Sequence, residues 1–291
     1  LLKLEYNKIV GNKSFWIFTL LFLVLLPFLV FFVPSFAGGE VEGIEFYPLI
    51  PRSSEVTWYL ISLISSWFTF FLLNFVLIYH ITNEYTYRTV RQNVIDGLTR
   101  GEYLKGKIML MLVISILATA YVLLIGIIGN FYFSTFDAPE PNIVQKVLGV
   151  KIVGVEDYGA MFAGVENIYR YFIQTVATFS FAMLIGFLVR RGILAILIFY
   201  SAFIIEFIVG LILKSYDFEK LYEYLPLQSI GESLPIIDFT QLIRGITSPV
   251  SISMLNIGVV IFYIILFLFL INSIEITKDH KNTDTTPINP W

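Results

Sequence analysis

The 291-residue chain has no cysteine and only two histidines, His80 and His280. Without cysteine there are no disulfides, thiolate metal centres or cysteine nucleophiles. Two histidines far apart in sequence, with no nearby carboxylate pattern, do not make a metal-binding motif. Charge is also scarce: 14% of residues are charged, the formal net charge is −3, and no basic face of the kind that holds nucleic acid is present. There is no glycine-rich phosphate loop ending in Lys-Ser/Thr, and no G-x-S-x-G motif. The apolar runs contain neither aspartate nor histidine, so the Ser/His or paired-Asp arrangement of an intramembrane protease has no material. These absences leave no catalytic, cofactor or metal residues to nominate, and the chain is not expected to be an enzyme in its own right.

What the chain does have is apolar surface. Hydrophobic residues make up 57% of it and its mean hydropathy is +0.80, whereas soluble domains sit near ~45–50% apolar. A core of this size cannot hide that surplus from water, so the expected solvent is lipid. Six runs reach the roughly 20 apolar residues that cross a bilayer: 14–36, 56–79, 108–133, 168–189, 193–213 and 254–272. Lipid offers backbone groups no hydrogen-bond partner, so each run is expected to be a helix. The first run is as long as a full span and lacks an A-x-A-like exit, so it reads as a retained helix and not a cleaved signal. Pro27 marks a kink, and Gly126 and Gly129 a close helix contact. The expected fold is an all-α, polytopic membrane domain of six spans over residues 1–291.

Lysine and arginine orient it. Residues 1–13, the segment 80–107, the turn Arg190–Arg191 and the tail 273–291 carry twelve, and the opposite segments carry seven. The first set, with both termini, is expected in the cytoplasm. Trp16, Trp58, Tyr79, Tyr132 and Tyr169 flank the runs as interfacial aromatic belts do. Residues 1–13 read as an amphipathic helix lying on the membrane surface, with Leu1, Leu4 and Ile9 on one face and Lys3, Lys8 and Lys13 reaching for headgroups.

The segment 80–107 is too polar for lipid and too patterned for a slack linker. Val90, Val94 and Leu98 recur at i, i+4, i+8, one apolar stripe on a helix, with Arg88, Arg91 and Gln92 off it. Gly97 suits a helix stop, and Gly101 and Gly106 are expected to break the chain again before the third span. An exposed apolar stripe awaits a partner. On the opposite side, 214–253 is semi-apolar yet contains Pro226, Pro235 and Pro249, and reads as short helices half-buried or re-entering. The alternation within 134–165 suggests a small hairpin. Glu206 is the one ionisable group deep in an apolar run. It reads either as a polar point on a translocation path or as a carboxylate hydrogen-bonded to a neighbouring helix. Asn74, Gln174, Thr175 and Thr178 read as interhelical hydrogen-bonding groups.

This layout resembles the permease subunit of type-2 ABC exporters. The local match is Glu84, then Arg88-Thr89-Val90-Arg91-Gln92, then Asp96-Gly97-Leu98-Thr99-Arg100, then Glu102, Leu104 and Gly106-Lys107. In that family the corresponding loop is a coupling helix that docks on a separate cytosolic ATPase. The resemblance implies that residues 89–98 form such a helix, that Glu84, Arg88, Thr89, Arg91, Asp96, Leu98 and Arg100 contact the ATPase subunit, and that ATP and Mg belong to that subunit alone. It further implies a second permease chain, as a homodimer or a pair, a bacterial inner membrane and export as the direction. An ion-coupled secondary transporter and a non-transporting sensor or immunity protein are the alternative readings. No sequence feature identifies the substrate.

Overall fold

The computed structural model describes residues 1–32, 39–41, 44–46, 54–87, 89–95, 97–134, 160–216, 224–233 and 254–283. The chain is an all-α polytopic membrane protein with six helices long and apolar enough to cross a bilayer: Lys13–Phe31, Ile61–Thr86, Arg100–Tyr132, Gly164–Val189, Gly192–Leu213 and Asn256–Ile274. The elements in order are α1 (Leu2–Val10), α2 (Lys13–Pro27) with a π turn (Phe28–Phe32), β1 (Gly39–Val41), β2 (Ile44–Phe46), α3 (Ser54–Phe68) with a π turn (Thr69–Leu73), α4 (Asn74–Thr86), α5 (Thr89–Ile95), α6 (Arg100–Ser134), α7 (Ala160–Val189), α8 (Gly192–Ser215), α9 (Pro226–Ser233) and α10 (Met254–Thr283). The strands form a small antiparallel hairpin between the first and second spans. The hairpin expected within 134–165 lies mostly outside the described residues; 160–165 belong to α7.

The second and fourth spans form the centre of the bundle, while the first, fifth and sixth leave most of their surface exposed. Ile78, Ile81, Ala177, Phe179, Met183 and Phe187 are almost fully buried. The centre is also where the polar groups gather. Ser66 Oγ donates to Gln174 Oε1 at 2.8 Å, and Thr69 Oγ1 meets the Tyr171 hydroxyl at 2.6 Å. Such interhelical bonds join spans that have no water to satisfy them. Asn74 behaves differently from expectation. Its side chain donates to Thr69 O and Phe70 O of its own helix; its backbone N–H goes to Thr69 O in the π turn, so the Phe70 carbonyl is the one that loses its usual helical donor.

Trp58 is no belt residue. It is buried, and its indole fills the space over two glycines: a Cβ on Gly126 would lie 1.9 Å from the ring and one on Gly164 2.7 Å. Gly126 therefore marks a close approach, as its sequence position suggests, but by a tryptophan and not by a backbone. After Pro27, α2 continues into the π turn, and the Leu23 carbonyl that the proline leaves without its N–H donor accepts from the Tyr121 hydroxyl at 2.6 Å.

Within 80–107 the second span runs on as expected, but the third-span helix starts earlier than expected. α4 runs on to Thr86, and α6 begins at Arg100, a full two turns before residue 108. The start at Arg100 has a clear cause. Glu102 Oε2 accepts from the Thr99 N–H and hydroxyl, and Thr99 Oγ1 accepts from the Glu102 N–H, a capping box worth about 1 kcal/mol. Gly101 and Gly106 thus lie inside a helix and break nothing.

Candidate functional site

Between α4 and α6 hangs α5, a single short helix. It ends at Ile95, three residues before the expected Leu98. Gly97 takes φ 95° and the Leu98 N–H reaches back to Asn93 O at 3.0 Å. This is a glycine-closed helix stop, with the left-handed residue that only glycine adopts freely. At the other end the Thr89 hydroxyl donates to Glu84 O at 3.2 Å, tying α5 to the end of α4. The faces of α5 differ from the predicted stripe. Val90 packs against the protein's own core, whereas Ile95 is 82% exposed and Gln92 is exposed beside it. Tyr87, just before α5, is also exposed. Among the described side chains of α5, the outward apolar one is Ile95. Arg88 and Asp96 lie outside the described residues, as do the side chains of Arg91 and Val94. Leu98 and Arg100 are half-buried.

Behind α5 lies a cluster of charged groups that sequence reading did not assemble. Glu5 of α1, His80 and Glu84 of α4, and Lys107 of α6 are all buried, Lys107 to 1% exposure. Lys107 Nζ donates to Glu5 Oε2, stands 2.9 Å from Glu84 Oε1 and 3.0 Å from His80 Nε2. Lys8 joins from α1, 3.3 Å from Glu5 and 3.2 Å from Glu84, and the Tyr103 hydroxyl donates to Glu84 Oε2 at 2.7 Å. Two carboxylates and two ammonium groups balance, so the cluster is close to neutral with His80 uncharged. Burial alone would raise the Glu5 carboxyl; hydrogen bonding with His80 and the charge and hydrogen bond of Lys107, aided by Lys8, hold it instead at about 2.

This corrects two expectations. Lys8 does not reach for headgroups but turns inward, and α1 buries its charged face, Glu5 with Ile9, while Leu2, Leu4 and Tyr6 face outward. Glu84 is likewise turned inward, so it supports α5 from within and does not present itself to a partner. Gly106 allows the approach: a Cβ there would sit 3.3 Å from Glu5 Cγ. One signal was available in the sequence, since His80 and Glu84 are spaced i, i+4 on one helix face. Glu5 and Lys107 carried none, because only the fold brings α1 beneath α6. Ligand atoms of Glu5, His80 and Glu84 lie within 4.8 Å of one another, but the Lys107 ammonium already supplies the cation between them.

The Arg190–Arg191 turn lies on the same side. Arg190 adopts φ 59° and its guanidinium sits 4.6 Å from the Tyr85 ring centre, so the tight turn between the fourth and fifth spans also touches the end of α4.

On the opposite side, Glu206 of α8 faces α9. Its Oε1 accepts the Gln228 N–H at 2.6 Å, near the start of a helix whose free N–H groups favour an anion. Beside it is a cavity of about 520 Å³ whose walls include Phe70, Phe71, Tyr200, Phe203 and Phe207. Within 214–253, the described helix α9 is short and half-buried, as expected, with Leu227 and Ile230 buried.

No protein-family model, curated protein or solved structure matches this chain.

Proposed function

We propose that the chain is the permease subunit of an ATP-driven exporter of the type-2 ABC kind, seated in a bacterial inner membrane with α1, α5 and both ends of the chain in the cytoplasm. The observation that carries this reading is α5. It is a short helix held rigidly at one end of the bundle, with an apolar side chain, Ile95, pointing away from the protein. A separate motor can bias a membrane bundle only through a contiguous contact, and α5 offers one. Thr89 ties it to α4, Gly97 and the Thr99–Glu102 box tie it to α6, and the ion cluster locks α4, α6 and α1 together behind it. A push on α5 is thereby delivered to the second and third spans as one body. ATP and Mg belong to the partner in this reading, and this chain contributes binding and transmission only. Six spans per chain make a two-chain assembly with two ATPase subunits the economical arrangement, as a homodimer or with a paired permease.

The test is co-purification from native membranes in mild detergent. The native chain should bring a nucleotide-binding subunit, and Ile95→Glu, or reversal of the charges at Arg91 and Asp96, should lose it while the permease stays monodisperse. A native chain that brings no ATPase under conditions that preserve known complexes would defeat the exporter reading and favour an ion-coupled transporter or a non-transporting protein.

A further inference from the structure

The cavity beside Glu206 has a composition that selects a ligand. Its aromatic walls come from two spans. Phe70 and Phe71 lie on the π turn of the second span, and Tyr200, Phe203 and Phe207 lie on the fifth. Phe70 packs edge to face, 4.6 Å from Phe203 at 81° and 5.3 Å from Tyr200 at 77°, while Phe71 stacks on Tyr200 at 5.7 Å and 24°. The π turn is what presents Phe70 and Phe71 together. The Phe70 carbonyl accepts from the Asn74 side chain, and the Tyr200 hydroxyl lies 3.3 Å from Phe70 O and 2.9 Å from Phe71 O, to which it donates. Interruptions of this sort cluster at functional sites. Leu227, Gln228 and Gly231 of α9 also line the cavity. Phe71, Ile204 and Ile208 line it while being exposed themselves, so it opens sideways, on the surface that faces lipid.

Within this apolar wall the only charged lining group is Glu206, and no lysine, arginine or histidine lines the cavity among the described residues. Two N–H groups from α9, those of Gln228 and Leu227, do not saturate a carboxylate, which has about four acceptor positions. Aromatic faces are negative and attract cations, more strongly where water is excluded. A volume of about 520 Å³ suits a drug-sized molecule.

We propose that this cavity binds a lipophilic organic cation, with the positive centre at Glu206 and the apolar body against Phe70, Phe71, Tyr200, Phe203 and Phe207. The site rests on the transport reading for its purpose, since it names what such a permease would carry, but its occupancy needs no ATPase.

The experiment uses the purified full chain in lipid nanodiscs, without any partner. Binding of radiolabelled tetraphenylphosphonium is measured by equilibrium dialysis, with empty nanodiscs subtracted. Tetraphenylborate, of the same shape and opposite charge, is the matched control and requires no variant. Saturable binding of the phosphonium, with no saturable binding of the borate, is expected. Glu206→Gln keeps an oxygen for the Gln228 N–H and removes the charge, so the fold is retained and affinity should fall at least about tenfold. Phe203→Leu should weaken binding several-fold with Glu206 intact. Absence of saturable phosphonium binding to the native chain, equal binding of both ions, or an unchanged affinity in Glu206→Gln overturns the site. A native chain that brings no ATPase in co-purification yet binds the phosphonium would sink the exporter reading and leave the site standing. The reverse pattern would sink the site alone.

Discussion

Lys107 is the residue on which the basic end of the bundle turns. It is buried to 1% exposure, and its ammonium is shared by Glu5 and Glu84 from two other elements. Removing one member of such a group strands the opposite charge away from water, at about 3–5 kcal/mol. Lys107→Met should therefore lower the thermal unfolding temperature of the detergent-solubilised protein and release α1, read as faster proteolysis before residue 13. Lys107→Met combined with Glu5→Gln should recover part of the loss, because the remaining carboxylate, Glu84, is then balanced by Lys8 at 3.2 Å. The Glu5 carboxyl also sets a pH signature. It is held at about 2 against an ordinary 4.5, so its contribution is complete above about pH 4.5 and is lost as pH falls toward 2. The stability gap between the native chain and Glu5→Gln should be flat from pH 7 to 5 and close below pH 4.5. A gap that widens on acidification would contradict the cluster as described. At this scale the sequence was least legible. Glu206 could be singled out, because a lone carboxylate in an apolar run is visible by itself. Glu5 and Lys107 are ordinary members of a basic flank until α1 folds beneath α6.

At the scale of elements, the six spans are legible from run length and Lys/Arg bias because lipid permits little else. Between the second and third spans a short helix was expected over 89–98, with Gly101 and Gly106 breaking the chain after it; the helix ends earlier, at Ile95, and α6 begins earlier, at Arg100. Polarity argued for exposure, yet His80, Thr82 and Glu84 are buried against one another's partners, and a buried ion cluster lets polar residues continue a helix. The Thr99-x-x-Glu102 box was readable as a helix start and outweighs the glycines after it. Gly97, by contrast, was readable as a stop and acts as one. Gly97→Val forces a branched side chain into φ 95° and should cost about 1–2 kcal/mol. Its effect should appear as weakened association through α5, with the six spans intact by circular dichroism. Thr99→Ala should cost about 1 kcal/mol at the start of α6, seen as faster amide exchange over the first turn of that helix. Normal exchange there would mean that packing alone sets where α6 begins.

Across the whole molecule, the two ends of the bundle have different chemistry. The basic end is rigid and charged: α1, α4, α5, α6 and the Arg190 turn are joined by ion pairs, a capping box and a cation–π contact. The other end holds α9 over an aromatic cavity with one carboxylate. The second span joins them, carrying Glu84 and His80 at one end and the Phe70–Phe71 π turn further along. A displacement imposed on α5 would therefore be felt at the cavity wall, which is the physical content of coupling in this account. The central claim is that Ile95 meets a nucleotide-binding partner. The chain has no cysteine, so Ile95→Cys introduces a unique thiol at an exposed position. Labelling that thiol in native membranes with a benzophenone maleimide, irradiating to insert the benzophenone into C–H bonds of whatever lies against it, and identifying the product by mass spectrometry tests the claim directly. The account predicts a cross-link from residue 95 to a nucleotide-binding polypeptide, lost in the presence of Gly97→Val. A thiol that reacts freely with maleimide yet yields no such cross-link would contradict it.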